Sequence, residues 1–309
     1  MTASPAVRLV TVAVHPVKST APRHVGAARV HSWGLAGDRR WMVVDRDGTL
    51  VSARTEHRLL TVVADTRDTE PGLPAGLRLT AAGHDPLHMD EPGGAPTVAV
   101  RLHRHDLYAV PAPPAATTWL REVLARPDVA LVWCDDPTRR PLNPDFSRPG
   151  DHTAFADGYP LTLATTASLR GLQDWVTETA LERGEPPPDP LAMGRFRPNL
   201  VLGGDLEPFE EDRWTAVTVG DVRFRVARPS DRCVLTTVDP DTLERGPEPI
   251  RTLARHRRWE GRTRFAVNLV PDLDPAAIDA TLTDATGPVV HVGDPVTPGV
   301  EAPRRGPAG

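Results

Sequence analysis

Thirty-four of the 309 residues are proline, and no other feature restricts the fold as much. Proline offers no backbone N–H and fixes φ, so it ends helices, stays out of central strands and leaves only short windows for regular structure. The longest proline-free window holds His24–Glu70. Within it, Trp41–Asp45 and Thr49–Ala53 are β-type runs on either side of Asp47-Gly48, a hairpin signature, and Leu59–Ala64 reads as a further strand. Arg8–Val14 reads as a strand ahead of the window. Later, Trp214–Val219 and Val222–Val226 flank Gly220-Asp221; Val222, Phe224 and Val226 alternate with Arg223 and Arg225, which gives a hairpin with one buried face. Helical spacing is confined to Ala115–Arg126, stopped by Pro127, and Thr166–Ala180, whose leading threonines can cap it. Many short strands and few helices predict a mainly β, barrel-type fold rather than a doubly wound α/β sheet. The length suits two domains, placed at residues 1–128 and 129–309, with polar Cys134–Pro160 as a long connecting loop and Pro71–Pro96 decorating the first domain.

Several functional classes are excluded at this level. A net charge of −5 gives no electrostatic reason to expect nucleic acid as partner. The longest apolar runs, such as Leu9–Val14 and Val129–Trp133, fall far short of the ~18 residues a membrane span needs. The N-terminus MTASPAVRLV lacks a basic segment followed by an apolar core, so a cytoplasmic location without a membrane anchor is expected. Two cysteines, Cys134 and Cys233, make neither a disulfide framework, a cysteine-rich zinc site nor an all-cysteine iron–sulfur cluster. There is no GxSxG elbow, Walker loop, HExxH or strand-borne GxGxxG. His103 and His105 share a strand face without a third metal ligand and read as a solvated strand.

Three clusters remain. The first begins with Lys18, the single lysine among 36 basic residues. A compact ammonium differs from a planar guanidinium, so a chain that uses arginine everywhere else has either a reason for this lysine or a chance survivor. Val17-Lys18-Ser19-Thr20 follows a strand, and Gly37-Asp38-Arg39-Arg40-Trp41 and Ser52-Ala53-Arg54 bracket the next hairpin. Ammonium, guanidinium and hydroxyl groups at strand ends suit an anion; they equally serve as surface charge at loop mouths. The second cluster is Arg195-Phe196-Arg197-Pro198-Asn199, where Arg197 and Asn199 share a side if the segment is extended and could grip a polar heterocycle or cap a loop. The third is Arg228-Pro229-Ser230-Asp231-Arg232-Cys233 with its continuation Val234-Leu235-Thr236-Thr237-Val238-Asp239-Pro240-Asp241. A cation beside Cys233 favours the thiolate that a nucleophile or soft-metal ligand requires, whereas Cys134 sits among aspartates that disfavour it. A lone cysteine is also an ordinary small core residue.

As a set these residues resemble a known family. Val17-Lys18-Ser19, Gly37-Asp38-Arg39-Arg40-Trp41 and Val51-Ser52-Ala53-Arg54 resemble the N-terminal β-barrel domain of MOSC proteins. Phe196-Arg197-Pro198-Asn199, Arg232-Cys233 through Thr242 and Val292-Gly293-Asp294-Pro295-Val296 resemble the MOSC domain itself. The match runs in order over nearly the whole chain and is similar to the mitochondrial amidoxime-reducing component and its bacterial relatives, which bind molybdenum cofactor and reduce N-hydroxylated compounds.

The resemblance implies two β-barrel domains holding Mo-molybdopterin between them. It implies that Cys233 ligates molybdenum, with Asp231, Arg232 and Asp239 around it in the reactive centre. Lys18, Ser19 and Arg39 match positions that hold the phosphate, Arg54 a further cofactor-binding position, Arg197 and Asn199 the pair that grips the cofactor, Thr165 and Ser168 a polar edge near the pterin, and Asn268 a further site residue. Asp231 stands where many relatives carry serine. No cysteines follow for a ferredoxin-like domain, so the resemblance implies an external electron donor, a flavoprotein reductase or ferredoxin-like protein, acting with a small-molecule substrate. A cofactor or sulfur carrier is the alternative from another class. A cysteine hydrolase would need a histidine base, for which His256 is the nearest candidate after Cys233.

Overall fold

The computed structural model describes residues 6–273 and 287–300, so the extreme ends of both expected domains lie outside the described residues. The fold is mainly β, with three α-helices among the described residues. Its largest sheet runs in the order Val296–Gly299, Ala216–Val219, Val222–Asp231, Arg262–Pro271, Leu161–Thr165, Leu200–Gly203, Arg8–Val14, Arg23–Val25. The turn before Val296 bonds back to the first strand, through Leu9 N–H to the Asp294 carbonyl (3.0 Å) and Val296 N–H to the Val7 carbonyl (3.0 Å), which closes the sheet on itself. The enclosed core contains Leu9, Leu163, Leu202, Val217, Phe224 and Leu269. Each such side chain, once buried, contributes roughly 1.5–3 kcal/mol.

The remaining N-terminal residues build a second core around Trp41, Leu59, Leu77, Leu79, Leu120 and Leu131. A four-stranded sheet, Trp41–Val44, Ala130–Trp133, His105–Pro111 and Val98–Leu102, and a three-stranded one, Val63–Thr66, Leu77–Thr80 and Leu87–Met89, frame it. The chain crosses between the halves on both sides of residue 128: Arg8–Val14 pairs with Leu200–Gly203, and Ala130–Trp133 pairs with Trp41–Val44.

Both expected helices are present. Helix α1, Pro114–Leu124, has proline in its first turn and ends on Ala125 in the left-handed region. Helix α2, Thr166–Glu182, is capped by Thr165, whose hydroxyl accepts the Ser168 N–H at 3.0 Å. Helix α3, Ile250–His256, spans only seven residues, too few to show a helical period in sequence.

The Val222 hairpin forms as expected and extends to Asp231. The first hairpin differs. Asp45–Gly48 does turn, and Gly48 is required there, since a Cβ would lie 2.6 Å from the Ala99 carbonyl oxygen. Thr49–Ala53, however, makes isolated bridges to Val44 and Arg101 instead of a strand. Leu59–Ala64 is corrected as well: His57–Thr61 is a 3-10 turn that sends adjacent Leu59 and Leu60 into the core, and the strand begins at Val63. An alternating strand could bury only one of two adjacent leucines on a given face. Pro71–Pro96 contributes two strands, whereas Cys134–Pro160 is largely irregular, with short turns at Pro137–Arg139 and Pro144–Phe146.

Candidate functional site

Strand ends from both halves surround a cavity of about 360 Å³. Its walls include Lys18, Ser19, Arg39, Arg54, Arg197, Asn199, Asp231, Arg232, Cys233 and Asn268, so ten of the residues singled out in sequence meet in one place. Three do not line it. Thr165 and Ser168 are fully buried elsewhere: the Ser168 hydroxyl donates to Glu211 at 2.7 Å, and Thr165 donates to Ser168 at 2.8 Å. Their polar edge serves the start of α2, not the cavity. Asp239 stands one step back, pairing with Arg195 at 2.6 Å and accepting the N–H groups of Asp241 and Thr242. It therefore braces a cation that does line the cavity.

Cavity charge is the dominant property. Lys18 and seven arginines, including Arg195, Arg228 and Arg262, face two carboxylates, Asp157 and Asp231. Burial presses the Lys18 ammonium down to about 8, with Arg39 and Arg140 adding to the push and Asp157 pulling back. Burial also lowers Arg197, with Arg39 reinforcing it, and lowers Arg232. Such a concentration of positive charge suits a multiply anionic ligand.

Backbone conformation is committed to this arrangement. Among the described residues nine non-glycine residues have positive φ, and four of them, Ser19 (75°), Arg39 (50°), His103 (55°) and Arg197 (51°), line the cavity. Side chains in the left-handed region persist only where surrounding contacts fix them, and they cluster at functional sites. For Arg197 this overturns the extended geometry expected from sequence. It ends the turn Met193–Phe196, and its guanidinium donates to the Thr20 carbonyl at 2.8 Å. Asn199 is buried and internally engaged: Oδ1 accepts from Arg39 (3.1 Å) and the Thr162 N–H (3.2 Å), and Nδ2 donates to the Ala13 carbonyl (3.1 Å). It positions Arg39 instead of sharing a face with Arg197. The same Arg39 nitrogen, Nη1, also donates to Asp38 at 2.5 Å; burial would raise the Asp38 carboxyl, but Arg39 and the hydrogen bond from His15 outweigh it and hold it at about 2.

The cysteine wall comes from the long Val222–Asp231 strand. Arg232 donates to the Phe196 carbonyl at 2.8 Å and to the Ser230 hydroxyl, leaving half-buried Cys233 at the start of the turn Val234–Thr237. Asp231 lies 3.6 Å from Arg228 and 3.4 Å from Arg264. Cys134, by contrast, is buried in a separate core, and burial pushes its thiol up to about 11. His256 stacks on Trp175 and does not line the cavity, so it is not placed to act as a base for Cys233.

Sequence reasoning missed Asp157, Tyr159, Arg228, Ser230, Arg262 and the part played by His103. Arg228 and Ser230 lay inside the quoted cysteine run; Asp157 lay in a stretch read as linker. His103 is exposed as expected, but it lies in the turn between two strands and not on a strand face, with its ring 3.2 Å from Asp157.

Comparison with known proteins gives two domain matches, the MOSC N-terminal beta barrel domain over residues 6–127 and the MOSC domain over residues 150–297. Over 264 residues the chain is 31% identical to mitochondrial amidoxime-reducing component 1 of Homo sapiens, covering 81% of this chain and 72% of that one. It is 32% identical over 257 residues to mitochondrial amidoxime reducing component 2 of Rattus norvegicus, covering 79% and 70%. A third relative, a molybdenum cofactor sulfurase of Anopheles gambiae, is 29% identical over 273 residues, 85% of this chain but 34% of that longer protein.

Proposed function

The chain belongs to the MOSC proteins that join an N-terminal MOSC β-barrel domain to a MOSC domain, and from that premise we propose that it is a molybdenum cofactor-dependent oxidoreductase reducing N-hydroxylated or other N–O compounds with electrons from a separate redox protein. The observation that carries this reading is one thiol, Cys233, on the wall of a cavity otherwise dominated by cations. Among the described residues no group of three or more His, Cys, Asp or Glu side chains could hold an ion. A metal at Cys233 would therefore bring its other donors with it, as a pterin dithiolene does, and a thiolate is the donor a soft site selects.

In this reading Lys18, Ser19, Arg39 and Arg54 from residues 1–128 hold the phosphate end of the ligand. Arg197, Arg232 and Asn268 from residues 129–309 line the remainder, with Asn199 fixing Arg39. When bound, the cofactor supplies the two-electron chemistry, while the protein supplies binding, orientation and electrostatics. The overall change is cleavage of an N–O bond: R–NH–OH, two electrons and two protons give R–NH₂ and water. Arg232 fixes the turn that presents the Cys233 thiol, and Asp231, neutralised by Arg228 and Arg264, sets the charge beside it. Among the described residues no helix is long and apolar enough to cross a membrane.

The match to a molybdenum cofactor sulfurase over 85% of this chain favours a second reading, a carrier that stores or delivers the cofactor. The two separate experimentally. Protein prepared in a host competent for molybdenum cofactor is assayed for metal and pterin content and for reduction of an amidoxime by an artificial electron donor. Turnover supports the enzyme; tight loading without turnover, with transfer to an apo-molybdoenzyme, supports the carrier. Protein that takes up no molybdenum refutes both.

A further inference from the structure

The Asp157 carboxylate sits where three segments of the N-terminal half converge. Lys18 Nζ donates to its Oδ1 at 2.5 Å, Arg54 Nη2 donates to its Oδ2 at 3.3 Å, and His103 Nε2 lies 3.2 Å from Oδ1. Lys18 also donates to the Phe155 carbonyl at 2.8 Å. His103 of this ring and Ser19, the residue next to Lys18, hold positive φ. Its place at the mouth of the cavity opposes charge on Asp157, but Lys18, His103 and Arg54 outweigh this and keep the carboxyl well below its ordinary range. The carboxylate is thus already an anion within a ring of anion-binding groups.

Main chain and side chain of this aspartate behave differently. Buried Arg140 donates to the carbonyls of Ala154 and Asp157 (2.7 Å each) and of Ala156, and the Phe155 N–H bonds to the Arg39 carbonyl at 3.0 Å, so the backbone is pinned. The Asp157 side chain is 62% accessible, and no atom lies within 4 Å of where a Cβ on the following Gly158 would be. It can turn aside without moving its loop.

We propose that Asp157 is a resident counter-anion of this subsite, which a phosphate monoester dianion displaces by turning the aspartate side chain aside, and that the exchange makes the subsite selective for dianions. The inference rests on the reading that Lys18 and Arg54 hold an anionic group. A tethered carboxylate competes at high effective concentration, so a free monoanion that replaces it gains no charge and loses the tether's advantage. A dianion gains a second unit of attraction to the same cations. Formate, chloride and phosphate diesters are rejected; phosphate monoesters are accepted.

The test uses cofactor-free full-length protein and isothermal titration at about pH 7, where a monoester is mostly doubly ionised. The probes are methyl phosphate and dimethyl phosphate. Wild-type protein binds the monoester at least tenfold more tightly than the diester. Asp157→Asn tightens the monoester at least tenfold, brings diester binding into range, and loses the gain when Lys18→Ala is added. Unchanged, weaker or absent monoester binding in Asp157→Asn overturns the proposal. So does equal affinity of the wild type for the two esters, a measurement that needs no variant. Asp157→Ser is the second variant, each being checked by circular dichroism. Full retention of molybdenum cofactor by Lys18→Ala would instead refute the underlying reading, whatever Asp157 does.

Discussion

Glu211 offers a test of the packing beneath α2. It is fully buried in the turn Glu210–Arg213, where one oxygen accepts from Ser168 at 2.7 Å and lies 3.4 Å from the Thr165 hydroxyl. Its other oxygen has no hydrogen-bond partner among the described residues. Burial pushes this carboxyl up from 4.5 to about 7, against the opposing pull of the Ser168 hydroxyl. The folded state therefore binds a proton that the unfolded chain has released between those two values. Stability from this group is fully present below 4.5, declines as pH rises, and is lost above about 7. At 1.36 kcal/mol per pKa unit, the gap amounts to about 3 kcal/mol. Glu211→Gln removes the titration while its amide oxygen can still accept from Ser168. Its amide nitrogen adds an unpartnered donor at every pH, so the informative quantity is how the difference between variant and wild type changes with pH. Urea unfolding of both proteins from about pH 5 to 8 should show the variant gaining on the wild type by up to about 3 kcal/mol across that interval. Titration of Lys18 in the same range is common to both proteins and cancels. Parallel stability curves would refute the claim that Glu211 is carried neutral in the fold.

Three further outcomes are expected. Cys233→Ser should keep the fold and lose amidoxime reduction, because a hydroxyl is a harder and far less acidic ligand than a thiol, whereas Cys134→Ser should retain activity; full turnover with molybdenum bound in Cys233→Ser would remove the assigned ligand. Lys18→Ala should weaken cofactor retention by on the order of 1.5–3 kcal/mol and Lys18→Arg by less, read as molybdenum and pterin per chain after extended dialysis, with wild-type retention falling as pH passes about 8, where the ammonium deprotonates. Arg140→Met should strand the carbonyls of Ala154, Ala156 and Asp157, costing about 3–5 kcal/mol in urea unfolding and raising amide exchange across 154–157; a loss below about 0.5 kcal/mol would contradict the pinned loop.

The Val222 hairpin was legible because its alternation and turn chemistry are local, whereas the run after Asp47-Gly48 turned without forming its second strand. The cysteine run and the lone lysine were legible as chemistry, since residue type alone restricts what they can do. Their meeting in one cavity was not, because it depends on Arg8–Val14 pairing with a strand nearly two hundred positions later. Thr165 and Ser168 looked like site residues because the family resemblance put them at a polar edge near the pterin, yet the carboxylate that claims them, Glu211, is distant in sequence. Asp157 gave no signal at all: its partners come from three separate segments, and an aspartate before glycine in a polar stretch reads as a turn.

The pairing of Leu9 with Leu202 also sets a timetable for biosynthesis. At about 5–20 residues per second, the first strand gains Arg23–Val25 at once but waits roughly 10–40 s for its other neighbour, Leu200–Gly203. The Lys18 ammonium likewise waits for its partners Phe155 and Asp157, which are made later than the backbone that holds it at Trp41. A fragment starting at residue 129 would leave the wholly buried Leu200–Gly203 strand as a bare apolar edge inviting intermolecular pairing. Expression of the C-terminal half should accordingly require residues 6–25, supplied in the same polypeptide or as a separate peptide added in trans.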